Sequence, residues 1–272
     1  MKWGNRGGCV LLVLLLIFSF WLVLEEGDAM SGIGLPDWGR IKKGAGVSPL
    51  ADLGELAARL GSIDTFDRRG DTVWMDDFED GIQKWAAESG GTGAEVTSSA
   101  LRARNGGYCA RLVAGSDGTR YAQLSRSVPY RVPSRVGLEY SFTLDSNIEY
   151  IELDLLWLST TVQLRGLIRY TRADKTLHYR DSTGTLVLLA SNISLSTYAW
   201  SFNTWKLVID PDTKSYTRLI MGGVEYDLTG YRLAESAITG WHSINTIIFV
   251  RGNAGANGVV QVDDVIIKQN EP

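Results

Sequence analysis

The chain has 272 residues, of which 44% are apolar and 21% are charged, and its formal net charge is −4 at pH 7. These values are typical of a globular protein that is long enough to bury a substantial core. The acidic balance argues against the basic face that a nucleic-acid-binding protein normally presents, so we expect no nucleic-acid partner.

The first thirty residues form a segment of their own. Lys2 and Arg6 precede an apolar run over residues 9–24, and two glutamates follow that run. Three interpretations of residues 1–30 are open: a secretory signal peptide, a retained membrane anchor, or a mis-assigned start with Met30 as the first residue. We therefore expect a membrane contact only through residues 9–24, if that segment is retained.

Residues 31–71 are predicted to be a linker that contains one helix. Ser48 and Pro49 are typical of a helix N-terminus, and a glycine follows the last of several leucines that recur on one helical face. We expect an amphipathic helix over about residues 49–60 and, after the linker, a β domain over residues 72–272.

From residue 72 onward the pattern predicts a long series of short strands. Apolar and polar residues alternate over segments that Gly-, Asn- and Asp-rich turns separate, without long helical stretches. Such a series is typical of antiparallel sheets packed as a β-sandwich or jelly roll. The predicted strands are 108–114, 121–128, 136–144, 148–158, 162–171, 177–180, 185–190, 205–209, 216–221, 224–228, 244–250 and 259–268.

Cys109, His178 and His242 are residue types that often carry chemistry. Cys109 lies inside a predicted strand, where a small buried hydrophobic role is expected. The two histidines have no Cys, His or carboxylate partners at metal-ligand spacing, and no nucleophile motif accompanies them. We expect both histidines to lie on the surface or on an edge strand.

Acidic segments stand at both ends of the β block. Residues 76–80 read Asp-Asp-Phe-Glu-Asp, and the last predicted strand contains Asp263 and Asp264. If the first and last strands pair, these carboxylates approach and repel one another unless a cation or a basic group intervenes. Hard oxygen ligands suit Ca²⁺, so Asp77, Glu79 and Asp264 are predicted to bind a structural Ca²⁺. The alternative is that these acids are solvated or paired with nearby basic side chains.

Four aromatic residues are predicted to bind a ligand: Trp157, Tyr198, Trp200 and Trp241. Sugar rings pack their apolar faces on aromatic side chains, while flanking polar groups set the orientation. Tyr198 and Trp200 lie in a predicted loop, where core packing explains a large ring less easily. The alternative is that these rings are core anchors of the sandwich.

Several segments resemble known β-sandwich families. Residues 204–210, Thr-Trp-Lys-Leu-Val-Ile-Asp, and the hairpin 216–224 with its Gly-Gly turn resemble the paired strands of concanavalin A-like lectin and laminin-G-type domains. Residues 77–81, 106–112 and 263–265 are similar to carbohydrate-binding modules of jelly-roll type. The resemblance implies a concanavalin A-like sandwich, with a structural Ca²⁺ where its first and last strands meet.

The region before the β block carries a second resemblance. Residues 34–38, and residues 56–62 together with 66–71, resemble environmental phage structural proteins that carry such a lectin-like domain. This resemblance favours Met30 as the first residue and implies a virion component.

The resemblance also indicates what an enzyme of this fold needs. Retaining β-glucanases of the lectin-like fold carry Glu-x-Asp-x-(x)-Glu on one strand, and retention needs two carboxyls about 5 Å apart. Glu152 and Asp154 match the first half of that pattern, but Leu156 or Trp157 occupies the acid/base position. Glu149 faces the other side of the strand by alternation. We therefore expect that the protein is not an enzyme, with a glycoside hydrolase as a distant alternative.

These observations lead to one functional expectation and one alternative. We expect a non-catalytic, lectin-like module for surface display or adhesion, as a phage virion component that binds glycan or other virion proteins. The alternative is an exported bacterial carbohydrate-binding protein. The expected location is the virion or the extracellular surface of a cell.

Overall fold

The computed structural model describes residues 69–130, 133–240 and 242–272. These residues form sixteen β-strands and no α-helix. No helix among them is long and apolar enough to cross a membrane. The apolar run at 9–24 and the helix predicted for about 49–60 lie outside the described residues and stay predictions.

The strands follow one another with short connections. Their bounds are β1 (Asp71–Asp76), β2 (Ala86–Gly90), β3 (Glu95–Ser99), β4 (Cys109–Ala114), β5 (Tyr121–Val128), β6 (Val136–Phe142), β7 (Ile148–Leu158), β8 (Val162–Thr171), β9 (Thr176–Arg180), β10 (Leu186–Ala190), β11 (Asn203–Asp210), β12 (Ser215–Met221), β13 (Val224–Asp227), β14 (Ala234–Ala237), β15 (Ser243–Gly252) and β16 (Gly258–Gln269).

Two antiparallel sheets of eight strands contain these elements. Sheet A has the order β13-β12-β11-β6-β16-β4-β3, and β1 also pairs with β16. Sheet B has the order β10-β9-β8-β7-β15-β5-β2, and β14 also pairs with β8. The predicted all-β, antiparallel sandwich is therefore confirmed.

Alternation along the strands builds the core between the two sheets. In β7, Ile151, Leu153 and Leu155 are fully buried and face sheet A. In β11, Trp205 and Leu207 are fully buried and face sheet B. Because successive side chains of a strand point to opposite faces, each strand gives one face to the core and one to the outside. Burial of these large side chains contributes about 1.5–3 kcal/mol each to folding.

Two tyrosines of sheet A carry hydroxyl groups across this core to the backbone of sheet B. The Tyr140 hydroxyl donates a hydrogen bond to the carbonyl oxygen of Glu152 at 2.9 Å. The Tyr216 hydroxyl donates to the carbonyl oxygen of Arg180 at 2.7 Å and accepts from the backbone N–H of Leu167 at 3.0 Å. These bonds hold the backbone of β7, β8 and β9 from the core side of sheet B.

The first and last strands meet, as the acidic segments predicted. In the pairing of β1 with β16, Met75 lies opposite Ile266 and Asp76 lies opposite Val265. The register of β16 against β6 shifts between Asp263 and Ile266, and Asp264 has φ 53°. Asp tolerates this left-handed conformation better than most residues, and a β-bulge of this kind redirects side chains locally.

Three short edge strands, β2, β3 and β14, were not predicted from the sequence. β2 reads Ala-Ala-Glu-Ser-Gly and β14 reads Ala-Glu-Ser-Ala, and most of their side chains are exposed. A strand that buries almost nothing has no apolar alternation to detect. Cys109, by contrast, is fully buried as expected, and burial raises the pKa of its thiol to about 12.

Candidate functional site

The outer face of sheet B is the side that points away from sheet A, and it carries rows of aromatic, charged and amide side chains. Because Ile151, Leu153 and Leu155 of β7 point into the core, Tyr150, Glu152 and Asp154 point outward. The same alternation places these neighbours on the face: Tyr121, Gln123, Asn245, Phe249, Arg251, Arg165, Arg169, His178 and Arg180.

Three rings cross this face as a continuous row. The Tyr121 and Phe249 rings stack with centroids 5.7 Å apart and an interplanar angle of 6°. The Phe249 and Tyr150 rings stack with centroids 5.9 Å apart and an angle of 20°. The guanidinium carbon of Arg169 lies 3.9 Å from the centroid of the Tyr150 ring. This ring row, Tyr121–Phe249–Tyr150, joins β5, β15 and β7 and ends in a cation–π contact on β8.

Beside the ring row, two carboxylates are held by arginines of the next strand. Arg169 Nε donates to Glu152 Oε1 at 2.7 Å. Arg165 Nε donates to both carboxylate oxygens of Asp154 at 2.9 Å. Burial raises the pKa of Asp154 to about 6, although Arg165 acts in the opposite direction. Because both carboxylates are buried in ion pairs, neither is free to act as the nucleophile of a glycoside hydrolase.

Polar atoms on this face also lack protein partners. His178 Nδ1, Arg180 Nε and Asn245 Oδ1 are buried and make no hydrogen bond within the described part of the chain. Native proteins leave few such groups unsatisfied, and water or a bound ligand commonly supplies the missing partner. The outer face of sheet B therefore combines an apolar ring row with polar groups that can bind a polar ligand.

The structure does not bring the four predicted ligand-binding aromatics together. The Trp157 ring packs against the core and stacks on Tyr130, with centroids 5.3 Å apart, instead of facing outward. Tyr198 and Trp200 are 81% and 73% exposed in the loop between β10 and β11. Trp241 lies outside the described residues.

Sequence reasoning missed the ring row. Tyr150 shares the outward alternation of Glu152 and Asp154, so this one ring could have been found from its own strand. Tyr121 and Phe249 lie on strands far apart in the sequence, and their proximity depends on the register of β15 between β5 and β7.

The acidic segments form a second cluster, at the bulge of β16. Asp264 Oδ2 accepts hydrogen bonds from Arg104 Nη1 at 3.1 Å and from Asn105 Nδ2 at 2.7 Å. Asp263 Oδ2 accepts from the backbone N–H groups of Arg104 and Asn105 at 2.7 and 3.3 Å. Burial, followed by the charge of Asp264, raises the pKa of Asp263 to about 8. Arg104 is thus the basic group that separates these acids.

The predicted calcium ligands around this cluster are largely engaged with protein groups. Glu79 Oε1 accepts from the backbone N–H groups of Gly107 and Tyr108 at 2.7 and 2.8 Å. Asp264 Oδ1 is buried without a hydrogen bond in the described part of the chain. Burial raises the pKa of Asp264 to about 6, and the charge of Asp77 adds a smaller effect in the same direction. Within the described ranges no three His, Cys, Asp or Glu side chains are grouped to hold a metal. The structural Ca²⁺ at Asp77, Glu79 and Asp264 stays a prediction.

Comparison with known proteins identifies the fold. No family model and no curated protein matches the chain. Among solved structures it is similar to an endo-β-1,4-glucuronan lyase from the fungus Trichoderma reesei, at 10% identity over 73% of this chain and 96% of that chain, with a TM-score of 0.51. It is also similar to a Bacillus licheniformis β-glucanase, at 12% identity over 72% and 98% of the chains, with a TM-score of 0.48.

At this identity the likeness shows the fold alone, and it confirms the jelly-roll, concanavalin A-like sandwich. It also corrects one expectation. The conclusion that the protein is not an enzyme was wrong, because an endo-β-1,4-glucuronan lyase has the same fold. The chain is also similar to a Family 16 carbohydrate-binding module, at 12% identity over 71% of this chain and 95% of that chain, with a TM-score of 0.36.

Proposed function

We propose that this protein acts on carbohydrate and binds a polysaccharide along the outer face of sheet B. The ring row Tyr121–Phe249–Tyr150 is the observation that carries the proposal. Half-buried rings give a sugar chain apolar surface, and the unpartnered His178 Nδ1 and Asn245 Oδ1 beside them can orient its hydroxyl groups. The glucuronan lyase with the same fold gives independent support for a carbohydrate ligand.

A glycan-binding screen of the full chain tests this proposal. We expect binding to at least one polysaccharide, and Phe249→Ala and Tyr150→Ala should each weaken it at least about tenfold, or about 1.4 kcal/mol. Tyr108→Ala is the matched control, because this exposed ring lies outside the face. Unchanged affinity in both ring-row variants would contradict the proposal.

We propose the exposed loop aromatics as a separate glycan contact. Tyr198 and Trp200 are both more than two-thirds exposed, and the guanidinium carbon of Arg102 lies 5.6 Å from the centroid of the Trp200 ring. A cation over one face of the indole leaves the other face for a sugar ring. Trp200→Ala should then weaken binding of long oligosaccharides more than that of short ones. An equal loss of affinity for short and long oligosaccharides would contradict this contact.

We further propose that the protein displays this site on a virion or cell surface, where glycans or other surface proteins are its partners. The resemblance of residues 34–38, 56–62 and 66–71 to phage structural proteins supports the virion, and the apolar run at 9–24 supports export by a bacterium. Immunogold labelling of particles and of cells distinguishes the two locations. Label on neither surface would contradict both.

A further inference from the structure

Arginines outnumber carboxylates in the centre of the outer face of sheet B. Arg165, Arg169 and Arg180 stand beside Glu152 and Asp154. The side chains of Arg165 and Arg169 are 30% and 24% exposed, whereas those of Asp154 and Glu152 are 2% and 9% exposed. An approaching ligand therefore meets guanidinium groups before it meets carboxylates. Guanidinium groups bind carboxylates through paired, charge-assisted hydrogen bonds, so this face favours an acidic sugar.

His178 and Tyr150 flank Arg169 on this face. His178 of β9 lies directly opposite Arg169 of β8, which places their Cβ atoms about 5 Å apart. Tyr150 lies on β7, on the other side of β8, with its ring under the Arg169 guanidinium. Glu152 is the β7 residue opposite Arg169, and Tyr150 lies two residues before Glu152. Two strand spacings and this two-residue offset separate Tyr150 from His178 by about 12 Å at the backbone. One sugar linkage can therefore lie over Arg169 with one of these side chains at each end.

These two side chains suit opposite proton-transfer roles. Burial raises the pKa of Tyr150, so its hydroxyl keeps its proton at neutral pH and can donate it. His178 Nδ1 is buried and has no hydrogen-bond partner within the described residues. No protein group holds this nitrogen in place, so the ring can turn it towards a ligand. A base, an acid and a carboxylate-binding cation thus meet in one place.

We propose that the outer face of sheet B binds a uronate-containing polysaccharide and cleaves it by β-elimination, with His178 as the base and Tyr150 as the acid. The inference rests on the proposed polysaccharide binding at this face. The arginines bind the uronate carboxylate and stabilise the charge that develops on it. Hydrolysis is disfavoured, because both candidate carboxylates are committed to arginines.

The step balances without a co-reactant. His178 removes the proton from the ring carbon next to the carboxylate, and the released electron pair forms a double bond to the neighbouring carbon. The bond from that neighbouring carbon to the linkage oxygen breaks, and Tyr150 protonates the leaving oxygen. Solvent then returns a proton from the His178 imidazolium to the Tyr150 phenolate.

Incubation of the full chain with polyuronates and with a neutral β-glucan tests the inference. We expect new ultraviolet absorbance from the conjugated unsaturated uronate in the polyuronate samples alone. His178→Asn and Tyr150→Phe should each lower the rate at which this absorbance increases at least about 100-fold. Both variants should still bind polyuronate, because Tyr150→Phe keeps the ring and His178→Asn keeps a polar side chain. Tyr108→Phe, which removes the hydroxyl of an exposed ring outside this face, is the matched control for Tyr150→Phe.

The possible outcomes separate the inference from the proposed function. Polyuronate binding without unsaturated product, or new reducing ends without absorbance, would overturn the elimination and leave polysaccharide binding intact. Binding of the neutral glucan alone would overturn the acidic substrate class. No binding of any polysaccharide would overturn both proposals. If His178→Asn fails to fold, Tyr150→Phe alone decides the catalytic part.

Discussion

The Tyr140 hydroxyl joins the two sheets across the core, as the Tyr216 hydroxyl does. Tyr140→Phe removes the donor to the Glu152 carbonyl and leaves a buried acceptor, which we expect to cost about 1–3 kcal/mol of unfolding free energy. Chemical denaturation measures this loss. Tyr108→Phe, on an exposed ring, should stay within about 0.5 kcal/mol of the wild type. Equal stability of Tyr140→Phe and wild type would show that the cross-core bond contributes nothing.

The free energy of unfolding should depend on pH through Asp154, which lies on the outer face of sheet B. Its pKa rises from 3.8 to about 6 in the folded state, mainly through burial, so the folded protein holds this proton more tightly than the unfolded chain. The resulting stabilisation is present below about pH 4 and is lost as the pH rises through about 6. Asp154→Asn should flatten the decline in unfolding free energy over this range, as urea denaturation at several pH values will show.

Asp117 serves as a control for that measurement, because its pKa is shifted in the opposite direction. Hydrogen bonds from Thr92 lower the pKa of Asp117, so its contribution is lost as the pH falls. Asp117→Asn should therefore change the acid side of the profile in the opposite sense to Asp154→Asn. A wild-type profile that stays level between pH 4 and 6 would contradict the role given to Asp154.

Arg104 and the predicted calcium ion are competing sources of positive charge at the bulge of β16. Arg104→Gln should cost about 2–4 kcal/mol, less than a fully buried pair, because the Arg104 side chain is still a quarter exposed. Thermal unfolding in Ca²⁺ and in EDTA tests the ion itself. A higher Tm in Ca²⁺ that Asp264→Asn abolishes would support Asp77, Glu79 and Asp264 as ligands. The same Tm in both buffers would rule out a stabilising calcium site.

At the scale of single elements, the long strands could be predicted from the sequence, but the neighbouring strands with which they pair could not. Apolar alternation located β7, β8 and β15 within a few residues, because each buries one full face. The same alternation put Trp157 on the face of Ile151 and Leu155, so its inward position could be predicted from β7 alone.

The ring row required information that no single element contains. Tyr121 is 128 positions before Phe249 in the sequence, and only strand register brings their rings together. Register is set by sheet pairing over the whole domain. The unpartnered atoms of His178 and Arg180 are likewise visible only when every neighbouring donor and acceptor has been placed.

The end of β16 is anchored to sheet A by a buried ion triad. Glu271 lies 2.6 Å from Lys206 Nζ of β11 and 2.6 Å from Arg218 Nη2 of β12, and all three side chains are buried. Glu271→Gln should cost about 3–5 kcal/mol, because it leaves two buried cations without their shared anion. Glu225→Gln, which breaks an exposed pair with Arg69, is the matched control and should cost at most about 1 kcal/mol. Equal losses in the two variants would mean that the triad adds no stability beyond a surface pair.

The fold class of the whole molecule could be predicted from the sequence. The alternation of apolar and polar residues and the residue types of tight turns are visible within short segments. The function was harder to predict, because one fold can carry sites with different chemistry. The incomplete Glu152–Asp154 pattern argued against hydrolysis by a carboxylate pair, and in the structure both carboxylates accept hydrogen bonds from arginines. It could not exclude chemistry by the histidine, tyrosine and arginine side chains that the sheet assembles beside that pair.

The order in which the chain is made has a consequence for how it folds. β15 joins β7 to β5 in sheet B, and β16 joins β6 to β4 in sheet A, so the last two strands are the central strands of both sheets. Until residues 243–269 have left the ribosome, each sheet exists only as two halves with unpaired edges. Such edges invite pairing between chains, and long-range pairing makes folding slow. We therefore expect the two sheets to close only after β15 and β16 have left the ribosome, and chaperones to cover the unpaired edges until then.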